Sequence, residues 1–334
     1  MTSTSNNPVF VSGAVVRQVF QWSDAVQCLR KAYRLPENEG ATPARTVATV
    51  GKAWLRVLPA FPPSGRYFGA KLMGAGVQGV AGGIEYVIVL FDRETSRIAA
   101  FVDANTITAY RTAATTALAM DALAPRAPAR LAVLGSGLEA QNHARALAAV
   151  RTLTEVVVFS PNPQKRAAFA AALTQELGVQ VRAAATPEDA VGDADIVLAA
   201  ARSQGEKPIL YGEWLKPAVT LASIGSTIPQ QREIDVSVIA RSDLIICDTP
   251  HEVLNDTGDM LAATAAGIAF RNKAFSLNEL VSGACDPQVH AAKTRLFKSV
   301  GGGLQDVVVA ELILTKALEA GLATPLPMQF ETKI

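Results

Sequence analysis

The run Arg130-Leu-Ala-Val-Leu-Gly135-Ser136-Gly137-Leu138-Glu139-Ala140 carries the first chemistry legible in this chain. A short apolar strand runs into Gly-Ser-Gly and then into a helical pattern, which is the context a dinucleotide-binding turn requires. Gly135 permits the tight turn, Gly137 lets the backbone approach a pyrophosphate, and Ala140 lets helix and strand lie close together. Ser136, Leu138 and Glu139 belong to the same turn, where the helix start offers backbone N–H groups and the positive end of its dipole to phosphate. A glycine turn of an unrelated α/β domain is the competing reading, and the flanking strand and helix weigh against it.

The end of the next strand bears on which nucleotide is held. A binder of the ribose 2′-hydroxyl usually has an acidic residue there. This chain has Phe159-Ser160-Pro161-Asn162-Pro163-Gln164-Lys165-Arg166, with no acid, two small polar groups (Ser160 and Asn162) and two cations (Lys165 and Arg166). An acid would repel a 2′-phosphate, and two cations welcome one. NADP(H) is favoured, with NAD(H) left open because Lys165 and Arg166 also suit a solvated helix face.

The elements that must hold these groups follow from pattern. Trp22 to Leu35 reads as a helix capped by Ser23, with Ala25, Val26, Leu29, Ala32 and Tyr33 at helical spacing. Gly65 to Met73 alternates as a strand, with Tyr67, Gly69, Lys71 and Met73 on one face. A lysine on such a face points inward, where an unpaired charge is costly. Tyr86 to Phe91 and Arg97 to Val102 are strands joined by a polar hairpin loop, and Thr106 to Leu123 is an Ala-rich helix. Pro125 and Pro128 mark a boundary. Beyond it, short apolar runs at 130–134, 155–159, 179–183, 195–199, 220–224 and 244–247 alternate with helical segments, the pattern of βαβ units and a buried parallel sheet. Asp306 to Ala320 is a helix apolar almost all round, so it must be buried almost all round.

Composition sets the outer limits. The chain has 334 residues, room for about two domains at roughly 150 residues each. Thirty-one Lys and Arg against 30 Asp and Glu leave a net charge of +1, which excludes a strongly basic nucleic-acid binder. Cys28, Cys247 and Cys285 are odd in number and far apart, so neither a disulfide framework nor a zinc site is expected, and no metal is called for. No run of about 18 apolar residues is present to span a membrane. The N-terminus has no early cationic segment, so it does not read as a signal peptide, and a cytoplasmic protein is expected.

Five pieces occur in a fixed order: Arg45 in Pro-Ala-Arg-Thr, Lys71 in Phe-Gly-Ala-Lys, Arg111 in Arg-Thr-Ala-Ala, the Gly135 to Gly137 loop, and Phe297-Lys-Ser-Val-Gly followed by Leu304-Gln-Asp. Together they resemble the ornithine cyclodeaminase/mu-crystallin family over nearly the whole chain. The resemblance implies an α/β fold with a Rossmann domain, here 125–303, inserted in a discontinuous α/β substrate-binding and dimerisation domain, here 1–124 plus 304–334. It implies a homodimer and hydride transfer between a nicotinamide and the Cα of an imino or amino acid. Arg45 and Arg111 are similar to the family's clamp on the substrate carboxylate. Lys71 resembles the family lysine beside the reacting carbon, where it orients substrate or serves as proton donor and acceptor. Ser299, Val300 and Gly301 resemble the segment that lines the nicotinamide. Asp306 is expected only to cap its helix.

The chain departs from the cyclodeaminase pattern Gly-Gly-Asp-x-Pro-Gly-Lys-x-Glu. Its corresponding run is Gly225-Ser-Thr227-Ile-Pro229-Gln-Gln-Arg-Glu233, which puts Thr227 where the aspartate belongs. Arg56 stands where cyclodeaminases tend to have a glutamate. Cyclisation needs a cationic side-chain amine held near the imine carbon, so losing carboxylates and gaining an arginine makes a diamino acid a poor guest. The expectation is an NAD(P)H-dependent imine reductase or L-amino-acid dehydrogenase, with Thr227 contacting substrate. The alternatives are an ornithine cyclodeaminase and a mu-crystallin-like NADPH-dependent binding protein.

Overall fold

The computed structural model describes residues 7–38, 40–202 and 205–333; residues 1–6, which begin the segment read above as no signal peptide, lie outside it. The chain divides into two compact units, Met1–Thr112 with Gly302–Ile334, and Ala113–Gly301. The second is therefore inserted in the sequence of the first, and one junction falls inside a helix.

The first unit contains β1 (Val9–Val11), α1 (Gly13–Val19), α2 (Trp22–Arg34), β2 (Thr46–Val50), β3 (Ala53–Ala60), β4 (Tyr67–Ala75), β5 (Glu85–Asp92), β6 (Ile98–Asp103) and the start of α3 (Ala104–Leu123). β2 to β6 form an antiparallel meander, extended by β1 running parallel to β6. The period of two along these strands sorts their side chains. Leu58, Lys71, Ile88 and Val102 lie opposite one another on a single face, and each is buried. Ser23 does not cap α2. The cap position is Gln21 and makes no side-chain bond, while Ser23 lies within the first turn and donates to Asp24.

The second unit contains β7 (Ala129–Leu134), α4 (Leu138–Ala148), β8 (Leu153–Phe159), α5 (Pro163–Leu177), β9 (Val181–Ala183), α6 (Pro187–Val191), β10 (Ile196–Ala199), β11 (Val219–Ser223), α7 (Val236–Arg241), β12 (Leu244–Cys247), α8 (Pro250–Asp256), α9 (Gly258–Ala265), β13 (Ala274–Ser276), α10 (Leu277–Ser282), α11 (Asp286–Ala291) and β14 (Thr294–Lys298). Its eight strands are parallel in the order β13-β12-β14-β11-β10-β7-β8-β9. The run β9-β8-β7-β10-β11 is the 3-2-1-4-5 order of a doubly wound dinucleotide fold. β14 then inserts between β11 and β12, which sets Lys298 opposite Ser223. No local sequence pattern predicts that insertion, since the β14 residues carry a motif but no strand signal of their own.

The chain returns to the first unit with α12 (Gly303–Glu319) and β15 (Thr324–Pro325), which pairs with β1. Val307, Val309, Ala310, Ile313 and Leu314 of α12 are buried, while Leu318 is half exposed. Among the described residues no helix is long and apolar enough to cross a membrane.

Candidate active site

In the first unit, α12 comes close enough to β3 that only glycine fits at position 303. A Cβ there would stand 2.4 Å from the Pro59 carbonyl oxygen. This approach carries the first turn of α12, with Gln305 and Asp306, down to the buried face of β4. Asp306 is not the cap of α12; that position is Gly302, and Asp306 is fully buried and ion-paired. Lys71 Nζ donates to Asp306 Oδ1 at 3.0 Å and lies 2.8 Å from Oδ2. Arg111 donates from Nε to the same Oδ1 at 2.8 Å and from Nη1 to Gln305 Oε1 at 2.8 Å. The Gln305 amide in turn donates to the Tyr33 hydroxyl.

Two buried cations thus share one buried carboxylate. Desolvation is the first influence on Lys71 and pulls its ammonium down to about 8; Asp306 opposes this, and the nearby positive charges of Arg111 and Arg45 reinforce it. Asp306 is the one side-chain partner of Lys71 Nζ among the described residues, although an ammonium carries three protons. Arg45 directly precedes β2, whose first residue Thr46 pairs with Val57. Arg56 pairs with Met73 and so shares the face of Lys71, its guanidinium over the Trp54 ring at 5.2 Å. The structure therefore brings Lys71 and Arg111 onto one carboxylate, with Arg45 near enough to add to the positive field at Lys71 and Arg56 on the same sheet face. Asp306 is the member that sequence reasoning missed. Its signal was available in Leu304-Gln-Asp, since a buried lysine requires a carboxylate.

In the second unit, Gly135 joins β7 to α4 with φ of +125°, and a Cβ there would sit 2.6 Å from the Ala200 carbonyl oxygen. Nothing lies within 4 Å of where a Gly137 Cβ would be. No side chain caps α4, whereas α5 is capped by Asn162, which accepts from the Lys165 amide. An uncapped helix start beside open space is the form of an anion site, and it fits the pyrophosphate of a dinucleotide. Ser136 Oγ donates to Ser160 Oγ at 2.9 Å, tying the glycine turn to the end of β8. Arg166 folds back to that end, donating to the Ser160 carbonyl at 3.0 Å with its guanidinium over the Phe159 ring. Lys165 is exposed, as are Leu138 and the Asn162 cap. His143, fully buried on α4, donates from Nδ1 to the Glu139 carbonyl.

Ser299, Val300 and Gly301 follow β14 and are held by Asp248. Its carboxylate accepts from Ser299 Oγ at 2.7 Å, Val300 N at 3.0 Å and Gly301 N at 2.8 Å. Below the Gly225–Gln231 loop lies a second ionic group that the sequence did not reveal. Lys298 Nζ meets Asp259 Oδ2 at 3.1 Å, Ser223 Oγ at 2.9 Å and the Ser226 carbonyl at 3.1 Å. Glu233 accepts from Ala201 N, Ser223 Oγ and Gly225 N; burial pushes its carboxyl up to about 7 against the pull of Lys298 and these donors. Thr227 donates from its amide and its hydroxyl to Gln231 Oε1, at 2.9 and 3.1 Å. Among the described residues no group of three or more His, Cys, Asp or Glu is placed to hold a metal ion.

The profile of the ornithine cyclodeaminase/mu-crystallin family matches residues 7–321. The chain is 30% identical over 284 residues to ketimine reductase mu-crystallin of Mus musculus, covering 83% of this chain and 86% of that one. It is also 30% identical over 237 residues to iminosuccinate reductase of Paracoccus denitrificans, 71% and 72% of the two chains. Among solved structures it superposes on a probable ornithine cyclodeaminase from Bordetella pertussis Tohama I with a TM-score of 0.84 and 28% identity, over 96% of this chain and all of that one. With its inserted parallel-sheet unit and its lysine–arginine–carboxylate group in place, the chain belongs to the ornithine cyclodeaminase/mu-crystallin family.

Proposed function

We propose that this protein is an NAD(P)H-dependent imine reductase that converts 2-imino acids to L-amino acids and also runs the reverse oxidation. The observation that carries the reading is the Lys71–Arg111–Asp306 group, in which cations outnumber the carboxylate and the ammonium keeps protons to give. Arg111 and Arg45 take the substrate carboxylate, since a guanidinium fork matches its geometry. Lys71 gives the proton that the imine nitrogen needs as its carbon is reduced. A nicotinamide held by the second unit supplies the hydride. Similarity to ketimine and iminosuccinate reductases supports the same class.

The dinucleotide lies on Gly135, Ser136, Gly137, Leu138 and Glu139. Ser160, Asn162, Lys165 and Arg166 take the adenosine end, with NADP(H) favoured because Arg166 is already drawn to the end of β8. Ser299, Val300 and Gly301 border the nicotinamide. Asp248, by holding the Ser299 hydroxyl and the Val300 and Gly301 amides, fixes the conformation of the segment that would border the nicotinamide. Thr227 touches substrate through its hydroxyl oxygen, and with no carboxylate at that position a diamino acid is disfavoured. Arg56 suits an anionic substrate side chain. The protein works in the cytoplasm as a homodimer. The sheet face opposite Lys71, where Leu55, Phe61, Phe68, Leu72 and Val89 are partly or well exposed, is the apolar surface a second copy would cover.

The test is a panel of 2-oxo acids with ammonia or methylamine, a 2-imino dicarboxylate and a cyclic imine, each followed by NADPH and NADH absorbance. Net cofactor oxidation on at least one imine is the expected result. Conversion of ornithine to proline and ammonia without net cofactor change would make it a cyclodeaminase. Tight NADPH binding with no turnover on any imine would make it a binding protein.

A further inference from the structure

We propose that Asp306 is a positioning residue for the reduction: from the first turn of α12 its carboxylate aims the Lys71 ammonium and ties it to Arg111, so that proton donor and carboxylate clamp are held as one group. This rests on the imine-reductase reading and assigns Asp306 a role that its helix position alone does not imply.

The geometry is specific. Asp306 Oδ1 accepts from both Lys71 Nζ and Arg111 Nε, while Oδ2 lies 2.8 Å from Nζ. Arg111 is further pinned by Gln305, and Gln305 by Tyr33 on α2. A planar guanidinium held at two points fixes the plane of the carboxylate, and the carboxylate fixes where the ammonium stands. Gly303 sets the depth of the whole assembly, because any larger residue would lift the first turn of α12 off β3.

The charges around Lys71 make Asp306 decisive. Arg111 faces it from α3, Arg45 from the segment before β2, and Arg56 stands on the same face of β3; α12 contributes the carboxylate. Gln305 and Tyr33 are the neutral members. Burial and the neighbouring guanidiniums all disfavour the ammonium, and Asp306 is the group that favours it. Replacing Asp306 by its neutral isostere leaves every remaining influence pointing toward loss of the proton. A merely structural ion pair would instead show lower stability and an equal loss of rate at every pH.

The experiment uses the holoenzyme with Asp306→Asn and the best imine of the panel, with kcat/KM followed from about pH 6 to about pH 9. In the native protein the alkaline limb is expected near the Lys71 value of about 8. In the variant it should move down by about one pH unit or more, the size expected for losing an opposite charge in contact. Cofactor affinity should be unchanged. A profile of unaltered shape overturns the proposal. The Lys71 Cε resonance, identified by its absence in Lys71→Arg, gives a readout independent of turnover. Its titration midpoint should fall in Asp306→Asn, and an unmoved midpoint overturns the proposal even where the rate drops. Where Asp306→Asn does not fold, Arg111→Gln serves: removing that cation leaves Asp306 to Lys71 alone, so the midpoint should rise, and no rise refutes the shared carboxylate. A native protein that reduces no imine sinks the imine-reductase reading, while the resonance still decides the role of Asp306.

Discussion

Two buried lysines, one in each unit, differ in what surrounds them. Lys298 donates to two acceptors, Ser223 Oγ and the Ser226 carbonyl, and pairs with Asp259 at 3.1 Å, while Ser223 in turn donates to Glu233. Lys71 is equally buried, but both of its contacts fall on one carboxylate, which it shares with Arg111. The first arrangement is closed and fastens the ends of β11 and β14 to the loop that follows β11. The second is open, because protons and positive charge are left over, as the proposed capture of a substrate carboxylate requires. Burial and ion pairing are common to both lysines, so neither property marks function. Unspent hydrogen-bonding capacity separates them.

The strongest test of this contrast is Lys71→Ala. It should lower turnover of the best imine by roughly 10²–10⁴, the usual worth of a general acid, while leaving the NADPH dissociation constant unchanged. Single-turnover absorbance and fluorescence titration read the two quantities. An equal loss in both would put Lys71 in the same structural class as Lys298. The sign of its pH dependence is fixed as well. The acid is needed protonated for reduction, so reduction should decline above about 8 while amino-acid oxidation rises through the same range.

Lys298→Met should do the reverse and cost stability first. Removing one partner of a buried ion pair costs up to about 3–5 kcal/mol. Asp259 would keep Arg232 at 3.3 Å and the Glu233 and Ile234 amides but lose its fully buried cation, so the loss should lie at or below the lower end. Urea unfolding monitors it, and the rate per folded molecule should fall far less than in Lys71→Ala. A collapsed rate at native stability would erase the distinction. The smallest effect is expected for Arg166→Ala. A lost guanidinium contact should weaken NADPH by about tenfold, or about 1.4 kcal/mol, with little change for NADH. Equal affinities before and after would assign Arg166 to a solvated helix face.

Local pattern was sufficient for most of the second unit. The alternation of short apolar runs with helices foretold the parallel sheet, and the glycine turn was placed where β7 meets α4. β14 was not foreseen, because its place between β11 and β12 is a choice among distant partners that no window of sequence contains. In the first unit, the alternation around Lys71 foretold its inward direction. β2 and β3, which complete the sheet beside it, went unread: β3 mixes Arg56 and Pro59 into its apolar pattern, and β2 is exposed along its length. Thr227 stands out in the sequence as a departure from the cyclodeaminase pattern, but its bonds to Gln231 depend on a loop conformation that composition does not specify.

By itself the sequence determined the class of fold, the dinucleotide turn and the identity of the cationic residues, because each depends on short-range periodicity or on residue type. Only the tertiary structure decided which carboxylate answers which cation. Asp306 is 235 residues from Lys71 and 195 from Arg111, and the approach of Gly303 to Pro59 brings them together. Charge pairing is a property of distance in space, and in a buried site it is settled by which helix end the sheet will admit.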